Sequence, residues 1–271
     1  SSAGTIGSVT INDSNALDLG ALTLSGDLTV TAGGAVTDSG TLVVPGTTTI
    51  SASGQNITLD DSSNNFGTIA LTGANVVIRD TNAIVIAASN ISGTFSVTSG
   101  GDITDSGALV ITGLTTLEAG SSNDITLDQP SNDFQGGLTI TSSGDVTLVD
   151  ANAIDLGATV VSGNYTVTAG GAITDSGTQE IAGVTTMEAG SGNNITLDTS
   201  TNNFAAAVII TSGRDVEIKD EDALDLGAST VSGTYTVTAG GAVTDSGALA
   251  VTGVTTIAAG SSNNITLDHT S

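Results

Sequence analysis

The chain has 271 residues, with 36 glycines, 28 acidic residues against three basic ones, and no cysteine. A net charge of −25 repels phosphate backbones and anionic bilayers, which argues against nucleic-acid and acidic-membrane partners. No apolar run approaches the length that spans a bilayer, and the lack of cysteine removes disulfides, thiolate metal sites and thiol nucleophiles.

Read along the chain, the predicted elements are short strands. LTVT at 28–31 alternates apolar and polar residues, as do VTLV at 146–149 and YTVT at 165–168, a period of two that marks strands. Between such runs stand Gly, Asn, Asp and Ser, and no stretch shows a helical stripe. The octet GGAVTDSG at 33–40 returns as GGDITDSG at 100–107, GGAITDSG at 170–177 and GGAVTDSG at 240–247, with spacings of 67, 70 and 70. NITLD or DITLD at 56–60, 124–128, 194–198 and 264–268 keeps nearly the same beat, and so do the Asn-Asn-Phe or Asn-Asp-Phe triplets ending at Phe66, Phe134 and Phe204. Four modules of about 70 residues therefore make up the chain.

Within a module the strands align as three sub-repeats, one series running Leu28, Thr48, Ile69 and Phe95, another Val36, Ile57, Val77 and Ile103. The predicted fold is all-β, a right-handed parallel β-helix of about twelve coils with about 23 residues per coil and three coils per module. Residues 1–271 read as one continuous solenoid, about 55–60 Å long at the strand spacing, and as part of a longer shaft.

One Asp follows the same strand in nearly every coil: Asp13, Asp38, Asp60, Asp80, Asp105, Asp128, Asp150, Asp175, Asp198, Asp220, Asp245 and Asp268. The expectation is a file along one corner. Each carboxylate would accept backbone N–H groups of an Asx-type turn, and the flanking Gly-Gly and Ser-Gly would supply positive-φ backbone at the bends. The alternative is a cation file, Ca²⁺ being the natural occupant of stacked carboxylates. The corner reading is favoured because Val36 stands where a calcium-binding solenoid repeat carries glycine. No other cofactor is expected.

A second candidate is a grid of outward hydroxyls. Thr29, Thr31, Thr49, Thr139, Thr141, Thr166, Thr168, Thr236 and Thr238 stand at alternating strand positions, and a flat Thr-x-Thr array is what an ice-binding solenoid presents. Thr is also the favoured polar residue of any exposed strand, and Ala70, Glu118, Glu188 and Ile209 interrupt the array. An enzyme is not expected. His269 is the single histidine, and Arg79, Arg214 and Lys219 do not recur between modules. Phe95, Tyr165 and Tyr235 take the inward place of Leu28 and read as core fillers.

The run GTYTVTAGGAVTDSGALAVTGVTTIAAGSSNNITLD at 233–268 resembles the repeats of filamentous-haemagglutinin-like adhesins of Gram-negative bacteria, and the resemblance extends over the whole chain. It implies a right-handed parallel β-helix exported by two-partner secretion, an extracellular or cell-surface location, and a fibre that presents binding regions to a host or cell-surface receptor. It implies no catalytic residue. Neither end of the pattern carries a polar cap, which predicts flanking solenoid coils or end-to-end self-association.

Overall fold

A computed structural model describes residues 6–269. The chain divides into two compact units, Ser1–Gly136 and Gly137–Ser271. Each is a parallel β-solenoid, and no helix occurs among the described residues.

In the first unit, one face is a stack of long strands. Val9–Asp13 pairs with Leu28–Ala32, Leu28–Ala32 with the second half of Leu42–Ser51, and that with the second half of Asn65–Gly73. The opposite face begins as short strands, Leu17–Leu19 under Val36–Asp38 under Ile57–Leu59. It continues as long ones, Val76–Asp80, Phe95–Ser99 and Thr115–Glu118. Side chains alternate inward and outward along each long strand, so Leu28, Val30, Ile69, Leu71, Val76, Ile78, Phe95 and Val97 are buried in one column, with Thr48 and Thr115 also in inward places. The three Phe of the triplet motif, Phe66, Phe134 and Phe204, are buried too, as are Tyr165 and Tyr235.

The switch between the two kinds of strand is the main departure from expectation. Val9 and Val76 are equivalent in the repeat, 76 − 9 = 67 residues apart, yet they stand on opposite faces. One module thus carries the chain through three and a half turns, not three, and 67/3.5 gives about 19 residues per turn. The second unit repeats the arrangement. Val146–Asp150, Tyr165–Ala169, Thr185–Glu188 and Val208–Ser212 form one face, whereas Ile195–Leu197, Val216–Asp220, Tyr235–Ala239 and Thr255–Ala258 lie on the other. The chain makes about 13 turns of about 20 residues, which corrects the expected twelve of 23. The reason is physical. Both faces of a flattened solenoid accept the same in–out alternation, so equivalent strands can change face while keeping their inward residues inward. Leu28, Thr48 and Ile69 are neighbours as expected, but Phe95 stacks on Val76 across the core from them.

At the switch a long strand must lie on two short ones separated by a bend. Asn65–Gly73 pairs with both Ile84–Ile86 and Ser89–Ile91. The bend leaves backbone N–H groups without a ladder partner, and side chains take them. The Ser89 hydroxyl accepts from the Leu71 N–H at 3.0 Å and donates to the Ala87 carbonyl at 2.9 Å, and the Asp80 carboxylate accepts from the Phe66 N–H at 2.6 Å. In the second unit Ser229 serves Ile210 and Asp220 serves Phe204, at 3.2 and 2.7 Å.

Candidate functional site

The aspartates separate into three classes, and within each unit they occur on both faces, so the single corner file expected from the repeat is corrected by the half-turn. The octet carboxylates reach forward to the next turn. Asp105 accepts from the Asp128 and Gln129 N–H groups at 3.0 and 3.4 Å and from the Asn132 side-chain amide at 2.6 Å. Asp38 does the same with Asp60, Asp61 and Asn64, and Asp175 with Asp198, Thr199 and Asn202. Asp245 takes the N–H groups of Asp268 and His269.

The amide completes a lock. Asn64, Asn132 and Asn202 are fully buried, and each turns its side-chain oxygen to a backbone N–H of the turn before, on Leu42, Leu109 and Gln179, at 2.8–2.9 Å. These asparagines were visible in the sequence only as the first letter of the triplet motif. Their constant distance from the octet Asp, 26 or 27 residues, is the signal that links them.

Asp80, Asp150 and Asp220 form the second class. They end the long strands, are buried, and hold the N–H two residues on, at Asn82, Asn152 and Asp222. Burial pushes the Asp80 and Asp220 carboxyls above the ordinary range against the pull of their backbone donors, and it does the same to Asp105 against the Asn132 amide. The third class, Asp60, Asp128 and Asp198, is exposed. Asp198 meets the Lys219 ammonium at 3.6 Å, and Glu217 meets it at 3.5 Å. Among the described residues no three or more His, Cys, Asp or Glu side chains converge as a metal cage would require.

The octet glycines hold a surprise. Positive φ falls at Gly54, Gly120, Gly190 and Ser262, in a different corner, and not at the Gly-Gly or Ser-Gly pairs, which corrects that expectation. The octet glycines answer to space instead. A Cβ on Gly100 or Gly170 would run into the backbone carbonyl of the turn before, at Thr81 or Ala151.

The hydroxyl positions do point outward, but they form separate ladders. Thr29 pairs with Thr49, a ladder that ends at Ala70, while Thr31 pairs with Ser51 and Ser51 with Thr72. On the opposite face of the same unit Ser96 and Thr116 line up with Val77, and Thr98 falls between Arg79 and Glu118. In the second unit Thr166 and Thr168 lie on the face of Val146–Asp150, while Thr236 and Thr238 lie across from them beside Glu217 and Lys219. Thr139 and Thr141 sit on Leu138–Ser143, which pairs with Ile154–Val161, again on the face opposite Thr166. The one flat grid expected from the repeat is therefore divided. The second unit also has an open hollow of about 280 Å³ lined by Thr178, Glu180, Thr201, Asn203 and Glu221, with both glutamates exposed.

A single family model matches the chain four times, at residues 6–72, 73–141, 143–211 and 213–271. Its description is repeats of unknown function (DUF5649). The chain belongs to this repeat family. The boundaries at 72/73 and 211/213 fall where the long strand changes face, so one family repeat is one three-and-a-half-turn module. Comparisons with curated proteins and with solved structures found no match.

Proposed function

We propose that these repeats are the structural shaft of a secreted bacterial surface adhesin, a part that spans distance and presents binding regions carried elsewhere. The observation that supports this is the repeat junction. Each repeat leaves the chain half a turn out of phase, the next begins on the opposite face with the same long strand, and the Asp–Asn lock recurs in the first three repeats. Repeats can be added without new contacts, which is what a part selected for length requires. The octet and strand-end aspartates are engaged with backbone and asparagine amides, so the most regular polar groups serve cohesion between turns. The resemblance to filamentous-haemagglutinin repeats supports the adhesin and the extracellular place. The role is mechanical, with no catalysis.

Antibodies raised against the segment should label intact cells of the organism that makes it, and external protease should strip the label. Label that appears only after lysis overturns the surface reading.

A further inference from the structure

We draw no further inference here: the strongest candidate, the open hollow of the second unit lined by Thr178, Glu180, Thr201, Asn203 and Glu221, rests on two exposed glutamates, and nothing in the structure shows what would fill it.

Discussion

The two units fill the same slot in different ways. In the first, Ser89 pairs with Leu109, and both are buried, as is Phe95. In the second, the third repeat has Tyr165, Gln179 and Thr159 in their places, all buried, whereas the fourth keeps a serine opposite a leucine, Ser229 and Leu249. The Gln179 amide donates to the carbonyls of Leu156, Gly157 and Gly177 at 2.8–3.3 Å, and Thr159 donates to Gly157. The Gln179 side-chain oxygen and the Tyr165 hydroxyl have no hydrogen bond of standard geometry, although the Thr159 hydroxyl lies beside the phenol, whose ionisation burial pushes up. What differs is the filling, while the lock around it, Asp–Asn to the next turn, is the same in both. The lesson is that the repeat conserves its turn-to-turn hydrogen bonds and lets the column behind them vary.

The largest effect should come from the shared backbone contact. Gly100→Ala and Gly170→Ala each drive a Cβ into a carbonyl of the adjacent turn and should cost about 3 kcal/mol, at the upper end of overpacking effects, read by denaturant unfolding. Next, Asn132→Ala and Asn202→Ala should each cost about 2 kcal/mol by leaving the buried N–H of Leu109 or Gln179 unpaired. Hydrogen exchange should show faster opening confined to the unit that carries the change, and equal costs in both units. A large inequality would break the claim that the lock is common.

Two substitutions should sharpen the contrast within the filling itself. Gln179→Leu gives the second unit the residue of the first, but along with one unpaired oxygen it removes the amide that donates to the Leu156, Gly157 and Gly177 carbonyls, so it should cost about 1 kcal/mol. Tyr165→Phe removes only an unpaired hydroxyl and should be neutral or stabilising by about 0.5 kcal/mol. Stabilisation by Gln179→Leu would mean that the polar filling contributes no cohesion.

The smallest effect is one of pH. Asp80, Asp105 and Asp220 titrate above their unfolded value of 3.8. In the window just above 3.8 the folded state therefore binds more protons than the unfolded state, and stability falls as pH rises. Asp215, lowered by the Thr234 N–H, has the opposite sign: its contribution is lost as pH falls through its folded value. The three raised groups set the direction, so the melting temperature should be higher near pH 4.5 than at pH 7. The pair Asp80→Asn with Asp220→Asn should flatten that slope.

The sequence by itself determined the repeat, the strands, the parallel solenoid and the inward residues, because a period of two and a 70-residue beat are written in side-chain chemistry. It marked the octet Asp as corner chemistry but not its partner, since Asn132 lies 27 residues from Asp105 and meets it only one turn later. It placed the aspartates and threonines in single files because equivalent positions look identical in a linear repeat. Only the tertiary structure decided the half-turn. Whether a strand falls on one face or the other depends on how many residues the corners consume, and corners of Gly, Ser and Asn carry no pattern that counts them. The same closeness of turns decided the octet glycines, where the neighbouring carbonyl, and not the local φ, excludes a side chain.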